Sequence, residues 1–245
     1  MNQIDWQSFT VGVELSGSAV AEADTDPGII SWSGSAEYLV GTEDYDEKDY
    51  PEPGSAPRWD AAIADGRALS LRQQDDDFAR WTVLQMSGVI VDSFMTTSSI
   101  PNELDGMSAD HGALAAIFDG NELHPDLLQM VEGIGSRAIL IDRARIAPAW
   151  RGHGGVGRLL ISRILRLITA DASVVATIPF PIDLFQESPH PDQHPRFDSE
   201  RRRVRKIWES LGFHQYKGEI WVMDPAMATH DSAVRDIEAR LHGLR

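Results

Sequence analysis

The hydrophobic pattern makes the N-terminal part of the chain strand-rich, with clear period-two alternation at its start. Phe9, Val11, Val13 and Leu15 share one face of Phe9–Leu15, which predicts a strand with one side against a core. Ile29–Trp32 and Ala36–Val40 are short apolar segments parted by Gly and Ser. Pro57–Ala64 predicts a short helix closed by Gly66, followed by a strand at Ala68–Leu71 and a turn at Asp75–Asp77. Trp81–Met95 is a strong strand signal, expected to bend or break at Gly88. Ile100–Gly112 reads as a polar loop. Leu114–Phe118 and Pro125–Ile134 read as helical pieces stopped by Gly133 and Gly135.

The second half changes period. Ala138–Ile146 predicts a strand. Val156–Ala170 predicts a helix, with apolar residues at 156, 159, 160, 164, 167 and 168. Ser173–Ile178 is a buried strand stopped by Pro179 and Pro181, and Pro189–Pro195 is a loop. A helix capped by Asp198 or Ser199 runs to Leu211; Val204, Ile207, Trp208 and Leu211 make its core stripe, and Gly212 ends it. His214–Met223 predicts a final strand or hairpin, and Asp231–Leu241 an amphipathic helix. The order is strands, helices, then strand–helix–strand–helix–strand, which predicts a mixed α/β fold around one sheet. No linker, repeat or low-complexity tract breaks it. One domain over residues 1–245 is expected, with a divergent strand-rich part at 1–80 and a terminal helix at 231–242.

The 245 residues are 42% hydrophobic with seven tryptophans, a globular composition. Without cysteine there is no disulfide, thiolate metal site or cysteine nucleophile. No secretory signal or membrane-length apolar run is evident, so a cytoplasmic protein is the expectation. The net charge of −16 disfavours nucleic-acid and anionic-membrane partners and suits cationic amines. Basic residues are nevertheless concentrated. Of 22 Lys and Arg, 13 lie in residues 137–166 and 196–206. The first window holds seven arginines against one acid, Asp142, and surrounds a glycine-rich turn. Helix-start amides beside glycine, with arginine nearby, suit a phosphate.

Gly152-His153-Gly154-Gly155-Val156-Gly157 satisfies the dinucleotide pattern G-x-G-x-x-G. Its surroundings do not. Pro148-Ala149-Trp150-Arg151 separates it from the strand, and Pro179 stands where an acid is expected. No Gly-Lys-Ser/Thr follows, which removes a P-loop. His190 and His194 are four apart, but Pro191 and Pro195 interrupt any helix that would pair them on a metal.

A second pattern covers more of the chain. Ile146-x-Pro148-x-Trp150-Arg151-Gly152-x-Gly154-Gly155-Val156-Gly157-x-Leu159-Leu160 resembles the acyl-CoA signature of the GNAT superfamily of N-acetyltransferases. Trp208-Glu209-Ser210-Leu211-Gly212-Phe213 resembles its second signature, and one helix and one strand separate the two. The resemblance spans about residues 138–223 and departs by one extra glycine in the turn, by Trp208 where Tyr is usual and by Arg201 where Asn is common.

The resemblance implies a GNAT-like, mostly antiparallel central sheet flanked by helices, with 138–223 as its acyl-CoA-binding core. It implies acetyl transfer from acetyl-CoA, as co-substrate, to a small-molecule or peptide amine. The amides of Arg151, Gly152, His153, Gly154, Gly155, Val156 and Gly157 would hold the pyrophosphate, with Arg151 adding charge. Backbone N–H groups of Ile146 and Ala147 would meet the pantetheine and thioester oxygen. Asp142 is the candidate base and Tyr216 the candidate acid, since an indole such as that of Trp208 is not usefully acidic. Arg201–Lys206 could reach the third phosphate of CoA. Glu43, Asp44, Asp46, Glu47 and Asp49 could form a cation-attracting rim. A non-catalytic acyl-CoA-binding module and an NAD(P)-dependent oxidoreductase are the other readings, and a homodimer stays open.

Overall fold

The computed structural model describes residues 9–16, 26–41, 61–73, 78–133, 135–153 and 155–242. The expected turn at Asp75–Asp77, the acidic rim at 43–49, and Gly154 lie outside the described residues. The strands are β1 (Phe9–Ser16), β2 (Ile29–Gly41), β3 (Ser70–Gln73), β4 (Phe78–Asp92), β5 (Phe118–Asp119), β6 (Glu122–Leu123), β7 (Arg137–Ile146), β8 (Ala172–Thr177), β9 (His214–Lys217) and β10 (Ile220–Met223). The helices are α1 (Ala61–Ala64), α2 (Ile100–Met107), α3 (Ala109–Leu114), α4 (Pro125–Leu128), α5 (Val156–Ile168), α6 (Leu184–Glu187), α7 (Phe197–Glu209) and α8 (Ala228–His242).

An eight-stranded sheet runs β1-β2-β4-β7-β8-β10-β9, with β3 added beside β4. Its pairs are antiparallel except β7 with β8, which are parallel and joined through α5. The fold is therefore mixed α/β, a large and mostly antiparallel open sheet flanked by helices. Two apolar layers cover it. Under α5, Leu160 and Ile164 meet Trp32, Ala36, Leu84 and Met86. On the other face, Ile100, Leu104, Leu114 and Leu127 of the segment joining β4 to β7 meet Val89, Val91, Leu140 and Val222. Among the described residues no helix is long and apolar enough to cross a membrane.

Several expectations change. The two apolar segments at 29–40 are one strand, because the small residues between them pair continuously with β4. β4 does not end at Gly88. The partner strand β7 bulges opposite it: Ser87 pairs with Arg143 and Gly88 with Ile141, leaving Asp142 as the extra residue. Any side chain at Gly88 would place its Cβ 1.9 Å from the Leu140 carbonyl oxygen, so only glycine permits this approach. The stretch Ile100–Gly112 is two helices, not a loop. Pro101 sits in the first turn of α2, where its missing N–H costs nothing, and Ile100 and Leu104 are buried one turn apart. Ser108 caps α3 by accepting the His111 N–H. Among the described residues of 125–134 only Pro125–Leu128 is helical.

Candidate functional site

β7 is bonded to β8 only from Arg137 to Ile141, the last pair being Ile141 with Thr177. It stays bonded to β4 as far as Ile146. The strands therefore fork at Asp142, where the bulge lies. A cleft of about 1770 Å³ opens there, lined by the Asp142–Ile146 half of β7, the turn after it, Thr177 and Ile178 beyond the fork, and residues of α7.

Asp142 is two-thirds enclosed or more, with a side chain 18% exposed. Its Oδ1 accepts a hydrogen bond from Ser87 Oγ at 2.7 Å. Its Oδ2 lies 3.8 Å from Nε2 of His111, a buried ring reaching over from α3. Residues ordinarily alternate sides along a strand, but a bulge sets two in succession towards one face. That geometry turns Asp142 to Ser87 rather than to its sequence neighbours Arg143 and Arg145.

The end of β7 can present donors, though not both of those expected. The Ala147 N–H donates to Val83 O at 2.8 Å, so it is spent within the sheet. Antiparallel alternation then makes Leu84–Ile146 and Met86–Ala144 the non-bonded pairs, which directs the N–H groups of Ile146 and Ala144 away from β4 and into the fork.

The turn shows the same division. The Arg151 N–H donates to Pro148 O and the Val156 N–H to His153 O, each at 3.1 Å. The N–H groups of Gly152, His153, Gly155 and Gly157 make no backbone bond to another described residue. Gly155 stands at the start of α5 with φ 116°, a conformation only glycine holds without strain. Gly157 lets the helix start pack on Ile146, whose Cδ1 would be 2.7 Å from an added Cβ.

The arginines are partly committed. Arg151 donates to Ile146 O through both Nε and one terminal nitrogen, and that nitrogen also meets Asp183 Oδ2 at 2.8 Å. Arg145 Nε meets the other oxygen of Asp183 at 3.3 Å. Arg151 is thus a clamp on the end of β7 rather than a free phosphate ligand. Arg201 and Arg205 both meet Glu219 on the far side of α7, which draws them from the expected third-phosphate role. Arg203 of the Arg201–Lys206 stretch does line the cleft, and it is joined there by Arg158 in the first turn of α5 and Arg240 on α8. Arg158 donates to Ser210 Oγ at 3.1 Å. Burial, and then the charge of Arg240, hold its guanidinium below the ordinary arginine range.

Tyr216 does not line the cleft. It packs with the apolar layer opposite α5, and its hydroxyl donates to Asp126. Burial and that carboxylate raise it above the ordinary phenol range, the wrong direction for a proton donor at neutral pH. Trp208 is 4% exposed and meets the Phe213 ring edge-on at 4.9 Å, a core position at the wall of the cleft. His153 is exposed in the turn. His194 Nε2 lies 3.5 Å from Glu187, and no group of three or more His, Asp or Glu able to hold a metal occurs among the described residues. Ser87, Asp183 and Arg240 line the cleft and His111 lies behind Asp142, and sequence reasoning passed over all four. Of these only His111 left a trace, since Ser108 three residues before it is a cap signal.

No family model, curated protein or solved structure matches this chain.

Proposed function

We propose that this protein transfers an acetyl group from acetyl-CoA to a primary amine of a small molecule or peptide, on a GNAT-like fold. The observation that carries the reading is the fork. One parallel strand pair separates at Asp142 and Thr177, and the helix joining those strands starts at a glycine turn at the mouth of the opening. A thioester chain laid between the strands would reach inward from the turn to Asp142. The amides of Gly152, His153, Gly155 and Gly157, at the positive end of α5, suit a pyrophosphate. Arg158 and Arg240 are two like charges close together, an arrangement that an added anion would relieve; with Arg203 they are the candidate third-phosphate contacts, in place of Arg201 and Arg205.

In the reaction, the amine nitrogen attacks the thioester carbonyl carbon. The N–H of Ile146 meets the oxygen as it gains negative charge. Asp142 takes the proton that the nitrogen loses, the C–S bond breaks, and the CoA thiolate leaves to be protonated by water. No role remains for Tyr216, whose proton is held by Asp126. At the acceptor end the cleft is lined by Glu14, Ser33, Ser35, Gln85, Ser87 and Asp110, a set rich in acceptors and carboxylates that favours a cationic, hydrogen-bonding amine.

Calorimetry with acetyl-CoA, CoA and NADPH tests the site, and thiol release over a panel of amines tests the activity. Binding of both CoA species without NADPH, then amine-dependent thiol release, is expected. Binding of CoA with no release from any amine favours the non-catalytic module; no CoA binding sinks both.

A further inference from the structure

His111 is a buried titratable group that the reaction above leaves unused. It is 8% exposed, and its Nε2 is buried without a hydrogen-bond partner. A ring nitrogen buried without a partner is costly, so its persistence calls for a reason. Its Nδ1 does have a partner, Ser108 Oγ at 2.8 Å. That same oxygen accepts the backbone N–H of His111 at 3.2 Å and keeps its O–H to give, so Nδ1 can be the acceptor of the pair. In that tautomer the ring hydrogen sits on Nε2, the nitrogen facing Asp142 Oδ2 at 3.8 Å, where a carboxylate oxygen favours a donor.

We infer that His111 is the positioning residue of Asp142, its Nε2–H holding Oδ2 while Ser87 holds Oδ1. This rests on Asp142 being the base of the proposed transferase. The two donors come from different elements, Ser87 from β4 and His111 from α3, and they grip a carboxylate that the bulge leaves without a strand partner. Moving the ring less than about 1 Å turns the 3.8 Å approach into a charge-assisted hydrogen bond. Asp142 lines the cleft and His111 does not, so the order from substrate inward is amine, Asp142, His111, Ser108. The α2–α3 segment would thus do more than cover the sheet: it would carry the support of the base. The adjacent Asp110 lines the cleft, so the same helix contributes to both the support and the acceptor wall.

Two measurements on the full chain test this. Proton NMR should show a downfield ring N–H that is absent from His111→Gln and moves upfield in Asp142→Ala. A ring resonance unmoved by Asp142→Ala overturns the pairing, whatever the enzyme's activity. In the thiol-release assay, His111→Leu should lower kcat about 10- to 100-fold with the KM for acetyl-CoA unchanged. His111→Gln, which keeps a donor, should recover most of it. Equal loss in Leu and Gln variants of wild-type Tm, or no loss in either, overturns the positioning role. If the wild type releases no thiol from any amine, the transferase reading fails, and the ring resonance still decides whether His111 holds Asp142.

Discussion

Along β7, Arg137–Ile141 is bonded on both sides, to β4 and β8, whereas Asp142–Ile146 keeps only β4. The first half buries Ala138, Ile139, Leu140 and Ile141 almost completely, and the second half is partly or wholly exposed. One strand thus changes from two-sided core to one-sided cleft wall within a single residue, and that residue is Asp142. The difference teaches where each kind of constraint acts. In the first half, packing on both faces decides the residue types; in the second, the unpaired edge leaves N–H groups without a strand partner and leaves room for arginines. The bulge is what allows both, since it adds length to β7 without shifting the pairing that precedes it.

The largest expected effect is chemical and lies at the boundary. Asp142→Asn keeps the size and the Ser87 contact but cannot take a proton. It should lower kcat about 10²- to 10⁴-fold with little loss of stability. Retention of more than about a tenth of wild-type kcat would remove Asp142 as base. Within the buried half the effect should be reversed in kind. Leu140→Ala should destabilise by about 2–5 kcal/mol in denaturant unfolding, because Leu140 is fully enclosed between β4, β8 and the α2–α4 layer. Ala144→Gly, two residues past the boundary, should cost less than about 1 kcal/mol. Similar losses at 140 and 144 would contradict the division.

Next comes the mouth of the cleft. Replacing Arg158 and Arg240 together by Gln should raise the KM for acetyl-CoA roughly tenfold, about 1.4 kcal/mol, while the wild-type preference for CoA over its form lacking the third phosphate should disappear. An unchanged preference would return that contact to α7.

The start of β7 supplies a pH test. Asp92 is pushed up by burial, but hydrogen bonds from Arg137, Ser136 and the Phe94 N–H outweigh this and hold it below the usual carboxylate range. A carboxyl depressed in the folded state stabilises the protein above its unfolded pKa, and that contribution is lost as pH falls through the folded one. Asp92→Asn should therefore reduce stability at neutral pH and flatten its decline below about pH 4, near the ordinary aspartate value. An equally steep acid decline in the variant would show that Asp92 is not a source of it.

The regular elements were legible where the period was long and uninterrupted. The α5 stripe from Val156 to Ile168 and the buried run of β8 are set by local sequence, and the structure has both. The α2–α3 segment was not legible, because Pro101, Gly106 and Gly112 read as breakers while Ile100 and Leu104 offered only one turn of repeat. The site divides in the same way. The glycine turn is a local feature, so its position could be read. The partners that decide what each side chain can do lie far away in sequence: Asp183 on Arg151, Asp126 on Tyr216, Ser87 and His111 on Asp142. The bulge that joins those last three depends on how β4 pairs with β7, which no single strand encodes.

The smallest expected effect separates the two faces of the sheet. Tyr216 stands on the layer opposite α5 and bonds Asp126, outside the cleft that Asp142 lines. If protonation of the departing thiolate needed a phenol, Tyr216→Phe would lower kcat steeply and remove a basic limb from its pH profile. The geometry instead predicts kcat and KM within about twofold of wild type, the scatter expected of a residue outside the chemistry. A change should appear in stability at high pH. A phenol raised in the folded state stabilises the protein below its unfolded value of about 10, and the contribution is lost as pH rises towards the folded value. Wild type should therefore lose stability more steeply than Tyr216→Phe above about pH 10. A fall in kcat with no difference in that alkaline slope would place the tyrosine in the reaction and break the division between the two faces.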